Sequence, residues 1–258
     1  MVTSQEELYY RRYLNDVVSG GAQAIPIPYF PTTSFSDTFV RSSGNIGDNW
    51  ISQVRRSDLS PGDGWPAASI NNNKLLIQNS GNINATLNNG IWIPRQLIST
   101  NPNTNLPGGV WGVDQFAEIT WKTQGTVTTA RVGIAVFSRN EQSGSVSEAQ
   151  GYYFVIKYDS GSFTTLQLIE LIGGQNENGN TFNVLGTFTS TPVDGDVFRI
   201  EGKISGSNKI LTCFKNSVQV IQITDTTPLP SKGYPSFGLV SSNGANSYNF
   251  INFNCGIL

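Results

Sequence analysis

Glu118 and Glu201 are the carboxylates to test first for catalysis, because each stands in an alternating, strand-like run, Phe116 to Trp121 and Phe198 to Ile204. Acid–base work on a glycosidic bond needs two carboxyl groups facing one sugar, and each of these stands alone in its run, which reads as a solvated or sheet-edge group. Nucleophilic triads are excluded more firmly, since the chain contains no histidine. The same absence removes imidazole metal ligands and proton transfer by His near neutral pH. Cys213 and Cys255 are the only cysteines, both inside apolar alternating runs. Two thiols without His cannot complete a tetrahedral zinc site. They are expected as buried free thiols, with a disulfide left open should their strands be neighbours. No cofactor and no metal site is expected.

Recognition chemistry is better represented than catalysis. Trp65, Trp92 and Trp111 offer aromatic planes that suit the CH faces of sugar rings, although core or inter-loop packing is the commoner use of such residues. From Asn88 to Val113 no alternating run is seen after Ile93, and a connection of that length is uncommon unless it is functional or part of an interface. Asn101, Asn103 and Asn105 can donate and accept hydrogen bonds there, with Trp111 as the anchor. Trp65, Trp92, Asn101, Asn103, Asn105 and Trp111 are therefore the candidate glycan or interface loop residues.

The elements that must position these groups are almost all strands. The chain has 258 residues, with 13% charged, 38% hydrophobic, 27 Gly, 26 Asn and a net charge of −2. That is ample for a real core, too apolar for a disordered polymer and without the basic excess of a nucleic-acid binder. No run approaches the 18 apolar residues of a membrane span. From Phe35 onward, short alternating runs are punctuated by Gly, Asn and Pro, the pattern of a β-sandwich. Tyr152 to Tyr158 pairs with Leu166 to Leu171 across Asp159-Ser160-Gly161, and Phe198 to Ile204 with Leu211 to Phe214 across Ser205-Gly206-Ser207-Asn208. Phe198, Ile200 and Ile204 should face inward, with Arg199, Glu201 and Lys203 outward. The parity switch between Val220 and Ile221 suggests a bulge, and the last strand is expected to bury Ile251, Phe253 and Cys255.

Before Phe35 the pattern differs. Ser4 and Glu7 form a capping box at the start of a helix over 4–19, stopped by Gly20-Gly21. Glu6, Glu7, Arg11 and Arg12 do not make the start of a secretory signal. Ile25-Pro26-Ile27-Pro28-Tyr29-Phe30-Pro31 then reads as an extended strap. It serves either as an arm reaching another subunit or as a linker wrapping its own domain. Residues 1–34 are thus expected as a helix and attachment arm, and 35–258 as the β domain. Leu8, Tyr9, Tyr13 and Leu14 of the helix, with Ile27, Tyr29 and Phe30 of the strap, are the expected partner-binding residues.

Four stretches resemble the concanavalin A-like lectin/glucanase superfamily, the laminin-G-type jelly roll: Asp37-Thr38-Phe39-Val40-Arg41 with Gly47-Asp48-Asn49-Trp50, Gly195 to Gly202, Cys213-Phe214-Lys215-Asn216, and Gly233 to Leu239. The likeness covers about Phe35 to Gly256 and implies an all-β, antiparallel two-sheet jelly-roll sandwich. It does not carry one function, since such sandwiches host lectins, hydrolases, adhesion modules and virion proteins. Laminarinase-like members carry two Glu flanking an Asp at alternate positions on one strand, and this chain has no Glu-x-Asp. No hydrolase activity of that kind is expected. Legume-type lectins use Asp, Asn and His around metals; without His, only Asp194, Asp196, Asp58 and Asp63 are acidic candidates for calcium, and turn or loop roles suit them better.

The low-charge, Asn- and Gly-rich jelly roll behind a helix and Pro-rich arm also resembles a structural protein of a tailed-phage particle. That resemblance implies a non-enzymatic capsid cement or decoration protein, assembled in the host cytoplasm and docked through its arm to capsid or tail subunits and sister copies. The alternative is a carbohydrate-binding receptor-recognition module of a phage tail fibre, with host glycans as partners. Neither reading involves nucleic acid or a membrane.

Overall fold

The computed structural model describes residues 34–46, 50–52, 66–70, 72–79, 90–94, 114–122, 130–143, 146–159, 162–176, 179–229, 233–242 and 247–258. Among them sixteen strands form two antiparallel sheets. The strands are β1 (Ser34–Asp37), β2 (Gly44–Asn45), β3 (Trp50–Ser52), β4 (Pro66–Ile70), β5 (Leu75–Asn79), β6 (Gly90–Pro94), β7 (Gln115–Lys122) and β8 (Ala130–Ser143). They continue with β9 (Val146–Asp159), β10 (Ser162–Asn176), β11 (Gly179–Thr189), β12 (Val197–Ser205), β13 (Asn208–Lys215), β14 (Val218–Asp225), β15 (Tyr234–Ser242) and β16 (Ser247–Ile257). One sheet runs β14-β13-β12-β7-β16-β5-β4-β2, with β1 sharing the edge of β16 beyond β5. The other runs β11-β10-β9-β8-β15-β6-β3. The two sheets form a jelly-roll sandwich, as the alternating runs require. The helix over 4–19 and the strap over 25–31 lie outside the described residues.

Apolar residues of both sheets meet in one core. Trp50 packs its ring against Phe237 and Phe253 at centroid distances of 4.7 and 5.1 Å, and Phe35 and Phe39 close around it. Phe154 of β9 meets Phe198 of β12 across the gap. The Asp37 carboxylate ties this end together. It accepts hydrogen bonds from the Phe39 N–H (2.7 Å), the Trp50 Nε1–H (2.8 Å) and both terminal nitrogens of Arg41 (2.6 and 2.9 Å). Burial raises the Asp37 pKa, but these bonds and the Arg41 charge outweigh it and hold the group below the usual carboxylate range. The stretch Asp37 to Arg41 and Trp50 thus lie together for a structural reason.

Bulges decide which residues face the core. In β14, Cys213 pairs with Ile221 and Phe214 with Gln219, so Val220 is the extra residue that the parity switch anticipated. In β16, Phe250 pairs with Trp121 and Asn252 with Thr120, which makes Ile251 a bulge and places Phe250 fully inside. Ile251 is only half-buried, so the expectation of strict alternation through Ile251, Phe253 and Cys255 fails at its first member. In β8, Phe137 adopts φ 52°. Gln115 fastens this bulge by accepting the Phe137 N–H (2.9 Å) and donating to the Gly233 carbonyl (3.2 Å). A Cβ at position 233 would lie 2.3 Å from the Phe137 carbonyl carbon, so glycine is required there by close approach.

Candidate functional site

Hydrophobic alternation in β8, β9 and β10 turns Val132, Ile134, Phe154, Ile156, Leu166 and Leu168 toward the other sheet. Arg131, Lys157 and Gln167 therefore belong to the opposite, outer side of the seven-stranded sheet. The register aligns Val240, Arg131, Lys157, Thr165 and Thr189 in one row across five strands, and Gly238, Gly133, Val155, Gln167 and Thr187 in the next. Arg131, Lys157 and Thr165 are half-buried and Thr187 and Thr189 exposed, so this end of the face meets solvent. Farther along the same side, Tyr153, Val155 and Ile169 are fully buried.

The Arg131 side chain is held from two directions. Its Nε–H donates to Gln167 Oε1 at 3.0 Å, and its guanidinium carbon stands 4.7 Å from the centre of the Phe182 ring. Phe182 pairs with Leu171, six residues along β10 from Thr165, and it lies three strands from β8. On a flat sheet that offset is about 20 Å along the strand and about 14 Å across. The contact therefore requires the sheet to bend toward this side, making a concave face with Arg131 and Phe182 approaching across it.

The outer side of the nine-stranded sheet is organised differently. Arg199 of β12 is directly opposite Glu118 of β7, which it contacts at 3.5 Å, and its Nε–H donates to Glu201 at 2.9 Å. The guanidinium lies over Phe116, 3.8 Å from the ring centre. Lys203 adds a contact to Glu201, and Asn254 donates to Glu118. Glu118 and Glu201, isolated in the sequence, thus meet at one guanidinium. That arrangement fills the space between them with a cation where paired acid–base chemistry would need a sugar.

A third polar group lies between the sheets. Lys209, 2% exposed, donates to the Leu229 carbonyl at 2.7 Å and sits over the rings of Phe137 and Tyr152. The Tyr152 hydroxyl donates to Asp225 Oδ2 (2.6 Å) and accepts from the Leu229 N–H (2.9 Å). Burial first, and then the Asp225 carboxylate, push the Tyr152 pKa up. Glu170, which accepts from Asn183, is likewise raised, chiefly by burial. These contacts pin the segment after β14 against β9, a structural task.

Of the residues singled out in the sequence, Trp92 lies on β6 rather than in a loop, directly opposite Phe237, a core residue. Trp65, Asn101, Asn103, Asn105 and Trp111 lie outside the described residues, as do Leu8, Tyr9, Tyr13, Leu14, Ile27, Tyr29 and Phe30, and also Asp58 and Asp63. Asp194-Gly195 forms the centre of a β-turn, with Gly195 at φ 90° and the Asp196 N–H bonded to the Val193 carbonyl. Asp194 pairs with Lys122, and Asp196 accepts from Lys215, Asn216 and the Val193 N–H. Among the described residues no group of three or more His, Cys, Asp or Glu side chains could hold a metal ion. Both cysteines are free and buried. Arg131 and Lys157 were missed because their meeting depends on strand register; the signal present was a cation on the off-core parity of two apolar runs.

No protein-family model matches the chain, and no curated protein is similar enough to count as a relative. Solved structures do share the fold. A mutant alginate lyase, Aly36B, in complex with alginate trisaccharide is similar at 12% identity over 89% of this chain and 100% of that one, with a TM-score of 0.50. The lumenal domain of VIP36 bound to Ca2+ and Man3GlcNAc is similar at 10% identity over 88% of each chain, TM-score 0.49. The carbohydrate-binding module CBM66 from Bacillus subtilis is similar at 13% identity over 78% of this chain and 93% of that one, TM-score 0.43. The fold is thus the concanavalin A-like sandwich that the sequence resembled.

The expectation of a tailed-phage capsid cement or decoration protein, with capsid or tail subunits and sister copies as partners, is corrected by these findings. The structures named here as sharing the fold are carbohydrate-binding or carbohydrate-processing proteins, and none is a virion component. Low charge with abundant Asn and Gly describes a turn-rich β surface, and that composition is equally suited to a glycan-facing sandwich.

Proposed function

We propose that this chain is a carbohydrate-binding protein that holds a glycan without turning it over. The observation that carries the reading is the concave outer face of the seven-stranded sheet, with the Arg131–Gln167–Phe182 contact set and a half-exposed row of Lys157, Thr165 and Thr189 beside it. Hydroxyl, amide and guanidinium groups at fixed spacing on a rigid sheet suit sugar hydroxyls and ring oxygens, because each bond forms with little side-chain ordering. Support for the ligand class comes from the alginate trisaccharide named with the lyase that shares this fold. Support for binding without turnover comes from Glu118 and Glu201, which are engaged by Arg199.

The test is affinity electrophoresis and calorimetry against a panel of neutral and acidic polysaccharides, with an assay for new reducing ends run on the same mixtures. Retardation by at least one polysaccharide with no new ends is expected. Failure to bind any member of the panel would overturn the reading. Turnover that disappears in Glu118→Gln or Glu201→Gln would overturn the non-enzymatic half of it.

A further inference from the structure

The two outer faces of the sandwich treat charge in opposite ways. On the nine-stranded sheet, Arg199 is opposite Glu118 and bonded to Glu201, which also meets Lys203, so cations and carboxylates alternate. On the concave face, the residue directly opposite Arg131 is Lys157. Like charges directly opposite one another on neighbouring strands are destabilising, and a fold that interleaves charges on one face has no need to place two cations together on the other. The ten positions of the two aligned rows around them contain no acidic residue: their polar members are Thr165, Thr189, Gln167 and Thr187.

We infer that this cation pair is a subsite for an anionic sugar unit, a glycan bearing a carboxylate or a sulfate ester. The inference rests on the carbohydrate-binding reading and narrows it to acidic glycans. Gln167 and Phe182 orient the Arg131 guanidinium, and its planar fork matches the two oxygens of a carboxylate or sulfate. The Lys157 ammonium supplies a second positive charge from the adjacent strand. Thr165, Gln167, Thr187 and Thr189 are placed to meet neighbouring hydroxyls. An anion between the two cations removes the repulsion that the empty face carries, so ligand binding and relief of that strain are one event.

Isothermal titration calorimetry on the full chain tests this with three probes of equal length: trigalacturonate, a sulfated galactotriose and unmodified galactotriose. At least one anionic probe is expected to bind tenfold or more tightly than the neutral one, and raising the salt should weaken it. Arg131→Gln and Lys157→Gln should each weaken that probe at least tenfold, whereas Lys203→Gln on the other sheet should leave it unchanged. Lys157→Arg, which keeps the charge, should retain binding and guards against a loss caused by misfolding. The carboxylate and sulfate arms identify which anion is read. If the protein binds neutral glycans and the Arg131 and Lys157 variants bind them as the parent does, the anionic subsite is refuted while the carbohydrate-binding reading stands. If no glycan of any kind is bound, both fall.

Discussion

Asp37→Asn changes one atom type in a buried site and leaves the shape of the side chain intact. In the parent, the carboxylate is 8% exposed and accepts four hydrogen bonds, from Phe39, Trp50 and twice from Arg41. The amide retains one acceptor oxygen and turns an N–H₂ toward a donor. Bonds to charged groups contribute about 1.5–3 kcal/mol each, and the two guanidinium bonds are discounted because Arg41 is about one-third exposed to solvent, which leaves a net loss of about 3 kcal/mol. In a domain of this size that lowers the melting temperature by about 6–12 °C. The pH dependence supplies a second signature. Because the folded pKa lies below the unfolded value, the carboxylate contributes its full stabilisation above the unfolded pKa and loses it as the pH falls through the folded one. The gap in melting temperature between parent and variant, followed by circular dichroism, should be constant from about pH 5 to 8 and close on going to strong acid. A gap below about 2 °C at neutral pH, or one that persists unchanged in strong acid, would refute the assignment of this carboxylate as the tie between Trp50 and Arg41.

Two further outcomes follow from packing. Gly202→Ala would set a Cβ 2.4 Å from the Phe137 ring and 3.0 Å from a Val136 methyl, so chemical denaturation should show a loss of about 1–3 kcal/mol from overpacking. Cys213 and Cys255 are buried free thiols whose pKa values burial pushes up, so native protein should resist a thiol-specific reagent at neutral pH and react at both sites once denatured.

Much of the architecture was legible because it rests on local periodicity. Alternation in Phe198 to Ile204 put Phe198 and Ile200 inward and Lys203 outward, and the parity switch beside Val220 marked a real bulge. Gly206 at φ 62° and the Asn216-Ser217 pair at φ 52° and 65° turn the hairpins where short-range turn chemistry allows. The Ile251 bulge carried no such mark, since Phe250 and Ile251 are both apolar and only the partner strand β7 decides which of them enters the core. Composition was misleading where it was asked about setting: a low-charge surface does not distinguish a shell protein from a glycan-facing one.

The concave face lay beyond the sequence for a physical reason. That Arg131 and Lys157 would leave the core was implied by the parity of their strands. That they would stand opposite one another depends on the β8–β9 register, and register is set by the whole sheet. Likewise, nothing in the spacing of Glu118, Arg199 and Glu201 brings two carboxylates to one guanidinium until β7 and β12, far apart in the chain, become neighbours. Local pattern therefore determined which residues face water, and only the tertiary pairing of strands determined which of those residues face each other.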